Sequence, residues 1–239
     1  MSLSNTVILS LTMAKVNRSV DGAVGRRRYD STFRKAQAAR TGLAVLDAAG
    51  ELFSERGYAA TSIADVAGRA GVSPETVYRQ FGSKRALLLR WLDTRIVGDE
   101  EPVPMSERAE VDAIRDEPDP DRRARLAARL TRRVHERSAR AAAVVAAAAH
   151  VDPEIAVAWP ELRRRGHADS AALLDLLTAD TGIRPGLDRK EAAEFFDAVV
   201  GPETYQLLVD IHGWTGEQYE RWLLEVLNRL LRTEHVSRR

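Results

Sequence analysis

The chain has no cysteine in its 239 residues, which removes disulfides, thiolate catalysis and thiolate metal sites from consideration. Aromatic residues are scarce at 6%. No apolar run approaches the roughly 18 residues that a membrane helix needs. The early apolar stretch Val7–Met13 is short and has no positive region before it, so it makes a poor signal peptide. These absences point to a cytoplasmic protein without a membrane partner. The five histidines, His135, His150, His167, His212 and His235, show no paired spacing, so no metal or cofactor is expected. No nucleophile elbow, dinucleotide fingerprint or zinc-protease motif is found. Gly82-Ser83-Lys84 lacks the longer glycine spacing of a P-loop and no strand precedes it.

What the sequence does have is helical periodicity and an uneven charge. Residues 1–98 hold 15 Lys and Arg against 8 Asp and Glu, a surplus of +7, while the remainder carries −6. A basic first part on an acidic second part suits a head that meets nucleic acid and a body that does not.

The densest pattern is TSIADVAGRAGVSPETVYRQFGSKRALL, Thr61–Leu88. Ile63, Val66, Ala67 and Ala70 recur at helical spacing, with Thr61 or Ser62 placed to cap the start. Gly71 falls where a chain leaving a helix needs positive φ. Ser73 and Pro74 open a second helix, in which Val77 and Phe81 face inward and Glu75, Thr76, Tyr78, Arg79 and Gln80 outward. This is the organisation of a helix-turn-helix, whose second helix enters the DNA major groove. Ahead of it, Leu43, Leu46, Ala49 or Gly50, and Phe53 form the apolar stripe of a supporting helix that begins at about residue 31. Gly42 and Gly50 inside that helix are costly, and close packing against a neighbour is one explanation.

From Leu46 to Leu88 the apolar, glycine, turn and Ser-Lys positions resemble, in order, the DNA-binding half of the TetR-type (tetracycline-repressor) family of bacterial transcription regulators. The resemblance implies an all-α protein. A three-helix helix-turn-helix domain precedes a larger helical domain for ligand binding and dimerisation. It also implies phosphate contacts from Thr41, Ser62, Tyr78 and Lys84. On the outer face of the second helix, Thr76 and Arg79 lie three residues apart, suited to base edges. Glu75 is placed either to accept from cytosine or, as we prefer, to orient Arg79.

Residues 1–30 show no sustained periodicity and are expected to form a mobile arm, within which Met13 begins a plausible alternative start. Its basic run Arg26, Arg27 and Arg28 suits either phosphate and minor-groove contact or a solvated tail. The DNA head is placed at 31–98 and the body at 99–239, with the break at Gly98–Pro104. The body reads as helices at 106–115, 121–150, 153–181, 188–200 and 205–211, followed by a last one from Thr215. By the same resemblance, the last two helices pair with those of a second subunit, so Tyr205, Leu208, Tyr219, Trp222, Leu223, Val226 and Leu230 are expected at a homodimer interface. The body is expected to hold a small-molecule effector, for which Trp159, His167, Phe195 and Phe196 are the candidates. The expectation is thus a ligand-released homodimeric repressor of a pseudo-palindromic double-stranded operator, not an enzyme. A DNA binder without a ligand and a helical enzyme with a DNA-binding head remain the alternatives.

Overall fold

A computed structural model describes residues 25–99 and 103–231, and among them every regular element is helical. In order these are α1 (Gly25–Arg56), α2 (Ile63–Ala70), α3 (Pro74–Phe81), α4 (Lys84–Val97), α5 (Ala109–Asp116), α6 (Pro120–Ala148), α7 (Pro153–Thr178), α8 (Arg189–Val200), α9 (Pro202–Tyr205) and α10 (Gly216–Leu231). A π-helical turn, Gln206–Ile211, extends α9. The all-α expectation holds. No helix is long and apolar enough to cross a membrane among the described residues.

The chain divides by its internal contacts at Ala44/Val45. Of the first unit, the first half of α1 is described. That helix starts at Gly25, so the expected arm is shorter than 30 residues, and Arg26, Arg27 and Arg28 stand in the first helical turn. The reason is compositional: arginine, lysine, glutamine and alanine favour helix without producing an apolar stripe, and periodicity detects only buried faces. Residues 1–24 and the side chains of the three arginines lie outside the described part. Leu43, expected on the buried stripe, is 46% exposed.

The second unit has two cores. In the first, Val45, Leu46, Ala49, Leu52 and Phe53 of α1 meet Ile63, Val66, Val77, Leu88 and Trp91. Ala141, Val145 and Ala148 of α6 and Ile155 of α7 belong to the same core. The alanine-dense end of α6 is the part that needs small side chains, because α4 packs along it. Gly50 has the close neighbour anticipated for it: a Cβ there would stand 2.3 Å from Trp91 Nε1. Head and body therefore share a core across the expected break at 98/99.

The second core joins α5, α6, α7, α8, α9 and α10 through Ile114, Ala127, Leu174, Phe196, Val200, Tyr205, Tyr219, Leu223 and Leu227. This corrects part of the expected dimer surface. Tyr219 and Leu223 are fully buried within the subunit and Tyr205 is 6% exposed, so these two tyrosines and Leu223 fill their own subunit's core. Leu208, Trp222 and Val226 are half-buried, and the side chain of Leu230 lies outside the described part.

Candidate nucleic-acid interface

Three helix starts are built by the same chemistry, a side-chain oxygen accepting from amides that the helix leaves unbonded. Ser62 caps α2 by accepting from Asp65 N, and the Asp65 carboxylate returns to Ser62 N at 2.9 Å, completing a capping box. Gly71 ends α2 at φ 68°, a conformation that a Cβ would strain, and its amide donates back to Ala67 and Gly68. Ser73 then caps α3 by accepting from Thr76 N, with Pro74 at the first position. Ser83 caps α4 by accepting from Ala86 N at 3.1 Å.

With both of its ends fixed, α3 buries Val77 completely and presents one outward set. Glu75, Tyr78 and Arg79 are exposed and Thr76 is half-buried. The side chains of Tyr78 and Arg79 make no hydrogen bond or ion pair with the described residues. An exposed phenol and guanidinium side by side on a rigid helix can meet phosphate and base edges without first breaking an internal bond. Glu75 differs from the preferred reading. Its own amide and the Ser73 hydroxyl hold its carboxyl below the usual carboxylate range, and it forms no ion pair with Arg79 among the described residues.

The flanking candidates are already engaged inside the protein. The Ser62 hydroxyl both accepts from Asp65 N and donates to the Asp65 carboxylate. Lys84 donates from Nζ to Tyr58 O at 2.8 Å and to Thr61 O at 2.9 Å, and sits 4.1 Å from the Tyr58 ring centre. An ammonium has three donors, so one N–H of Lys84 is left for an outside acceptor. Thr41 belongs to the first unit, on α1, and is half-buried.

Sequence reasoning missed the bonds that seat the head on the body. Tyr58 donates its hydroxyl to Asp152 at 2.8 Å, while the other Asp152 oxygen accepts from Glu154 N and Ile155 N at the start of α7. One carboxylate thus caps a body helix and holds the loop before the helix-turn-helix. Arg85 at the start of α4 pairs with Glu154. Arg137 and Arg140 of α6 donate to the carbonyls of Ile96 and Ser54. Asp152-Pro153 was legible as a helix start, but nothing in a sequence says which distant hydroxyl takes a cap's second oxygen.

The effector candidates are not brought together. Phe196 is buried in the second core, and Trp159 packs partly buried against the first, with the Arg163 guanidinium 6.0 Å from its ring. His167 is half-exposed, 3.5 Å from the Asp197 carboxylate. Phe195 is 56% exposed beside a surface depression lined by Arg184, Pro185, Gly186 and Leu187. No group of acidic and histidine side chains suited to a metal is found among the described residues.

Comparison with known proteins agrees with this geometry. Residues 45–90 match the model of the bacterial regulatory proteins of the tetR family. The HTH-type transcriptional repressor Rv3405c of Mycobacterium tuberculosis is 44% identical over 89 residues, which are 35% of this chain and 45% of that protein. The chain thus spans about half the length of this curated relative. NalD, the secondary repressor of the MexAB-OprM multidrug efflux pump in Pseudomonas aeruginosa, shares the fold with a TM-score of 0.61 at 22% identity, over 82% of this chain and 98% of that one. A transcriptional regulator from Saccharomonospora viridis in complex with choline does so at 0.59 and 18%, over 81% and 99%. The match thus identifies residues 45–90 as a helix-turn-helix segment of the kind found in the tetR family of bacterial regulatory proteins.

Proposed function

We propose that the chain is a sequence-specific repressor of transcription that works as a homodimer on a pseudo-palindromic operator and leaves it when a small molecule binds the body. The observation that carries the reading is the exposed pair Tyr78 and Arg79, whose side chains are unbonded to the described residues, on a helix capped at its start and buried at Val77. Arg79 and Thr76 read bases. Tyr78, Ser62 and the remaining donor of Lys84 hold phosphates, joined by Thr41 and the arginines Arg26, Arg27 and Arg28 from the N-terminal side. Residues 31–98 act as the head and 99–239 as the body. The second subunit is met by apolar groups that the terminal helices leave outward, Leu207, Leu208, Ile211, Trp222 and Val226, of which Ile211 is 73% exposed. Two such readers would sit on half-sites one or more helical turns apart. The choline-bound relative and the shared fold support a small-molecule effector. Release follows if that ligand prefers an arrangement of the body that the operator-bound dimer does not adopt.

Genomic selection tests this. Fragmented DNA of the source genome is retained on purified protein and sequenced. A recovered pseudo-palindrome with half-sites about one helical turn or a simple multiple apart supports the reading. Uniform recovery at moderate salt would mean backbone binding only and would sink it.

A further inference from the structure

The second core contains two polar atoms that have no hydrogen-bond partner among the described residues, His135 Nδ1 and the Tyr219 hydroxyl. Their residues are neighbours: the rings of His135 and Tyr219 are 6.5 Å apart edge to face, and Tyr205 lies 5.6 Å from the first and 4.9 Å from the second. Trp222 closes the side at 5.8 Å from Tyr219. Tyr219 is fully buried and His135 is 9% exposed. An orphaned polar atom in such a place gives up its hydration with no bond in return, and two on neighbouring residues call for a partner that satisfies both.

The histidine's second nitrogen says what the partner is. His135 Nε2 is 2.6 Å from Val200 O, and a carbonyl only accepts, so Nε2 carries the hydrogen. Burial favours the neutral ring, which leaves Nδ1 a bare acceptor. Tyr219 supplies an O–H donor. A hydroxyl group is the simplest chemistry that fits, because it gives a proton to Nδ1 and takes one from Tyr219. A carboxylate has nothing to give the histidine, and a quaternary ammonium can neither donate to it nor accept from the tyrosine. The aromatic walls favour a flat apolar body behind that hydroxyl. Tyr205 is carried on the short α9, between the Gly201-Pro202 break and the π-helical turn Gln206–Ile211, the segment whose displacement would admit a ligand without dismantling a long helix.

We infer that His135, Tyr205 and Tyr219 form a seat for the hydroxyl of a neutral aromatic or alicyclic molecule, reached between α6, the α9 turn and α10. The inference rests on the effector reading above and gives that effector a place and a chemistry.

The test uses full-length protein, with phenol as the probe and toluene, benzoate and tetramethylammonium beside it. Binding is followed by the ¹⁵N signal of His135 Nδ1 and by tryptophan fluorescence, in which Trp222 is the near reporter. Expected are saturable phenol binding that moves the Nδ1 signal, toluene at least about tenfold weaker, and no binding of the two ions. Tyr219→Phe should weaken phenol about tenfold yet leave Tm unchanged or raised, since it removes only an unpartnered hydroxyl. A merely structural tyrosine would instead lose stability. His135→Leu should lose phenol binding as well. Equal affinity for phenol and toluene, or for wild type and Tyr219→Phe, overturns the seat. So does preference for tetramethylammonium, or the absence of saturable binding, which would mean that buried water satisfies the pair. An operator-releasing molecule whose potency is unchanged in Tyr219→Phe overturns the seat and leaves the effector reading intact. Phenol binding lost in Tyr219→Phe, with no molecule found to release the operator, upholds the seat and fails that reading.

Discussion

Helix α6 passes from one core into another, and the two are packed on different terms. Its last turns give Ala141, Val145 and Ala148 to the first core, where α4 and the helix-turn-helix are seated against alkyl groups. Its middle gives His135 to the second, beside Tyr205 and Tyr219, where His135 Nδ1 and the Tyr219 hydroxyl have no partner among the described residues. The first core has one orphan as well, Trp91 Nε1, pressed against the backbone at Gly50. That one is isolated and forced by close packing, whereas those of the second core are adjacent. An interlocked core has one good arrangement, which suits a head proposed to present Tyr78 and Arg79 in fixed register. A core with unmet hydrogen bonds has an incentive to rearrange, which suits the end proposed to answer to a ligand.

The comparison breaks most visibly at Phe53. Phe53→Ala removes a ring that stands 5.8 Å from Tyr58 and 6.1 Å from Trp91, and should cost about 3–5 kcal/mol by denaturant unfolding. Because both sides of the head–body junction share that core, one cooperative transition should shift as a whole. A separate early transition of the head alone would show that the shared core does not couple them. Next in size is Arg79→Ala, which should leave the unfolding midpoint in place, since Arg79 is exposed and unbonded within the described protein. Affinity for the selected operator should fall by about 1–3 kcal/mol, with little change on random DNA. Equal weakening on both would assign Arg79 to the backbone.

The helix-turn-helix was legible residue by residue because its signals are local: caps at Ser62, Ser73 and Ser83, positive φ at Gly71, and the 3.6-residue period of Ile63, Val66 and Ala67. Helix order in the body was legible for the same reason, from Asp119-Pro120, Asp152-Pro153 and Asp188. Destinations were not. Tyr219 and Leu223 lie on an apolar face whether a second subunit or their own core covers it, and only the packing of α10 on α6 decides. Leu43 is exposed although Leu46, Ala49 and Phe53 of the same stripe are buried, because a period gives the apolar face of a helix and not how far along it the packing runs. The start of α1 failed because a helix without an apolar face leaves no period to read.

A smaller effect sharpens the link between the two regions. Tyr58→Phe deletes the donor to Asp152 but leaves that carboxylate capping α7 and leaves Lys84 over the ring. The loss should be about 1 kcal/mol, below the range for a buried charged bond, because the site is partly open to water. Operator affinity should change more than stability does if this bond holds the head in its reading position. Double substitution with Asp152→Asn should be less than additive if the two act through one bond. Full additivity would mean that Tyr58 steadies the head through its packing alone.

The gentlest perturbation reaches only the second core. Burial lowers the His135 pKa below the ordinary 6.5, so the folded protein keeps the ring neutral while the unfolded chain protonates it first. In that interval the unfolded state binds more protons, and stability therefore rises with pH. The contribution is fully present above 6.5, is lost as pH falls from 6.5 toward the folded value, and levels off once the folded ring protonates too. Thermal unfolding between neutral and mildly acidic pH should show this decline, and His135→Asn should flatten it whatever its own baseline stability. Arg79→Ala, on the other face of the molecule's chemistry, should keep the full slope. If both variants retained it, the acid sensitivity would belong to other groups, and the second core would lose its claim to be the part of the protein held together on unfinished terms.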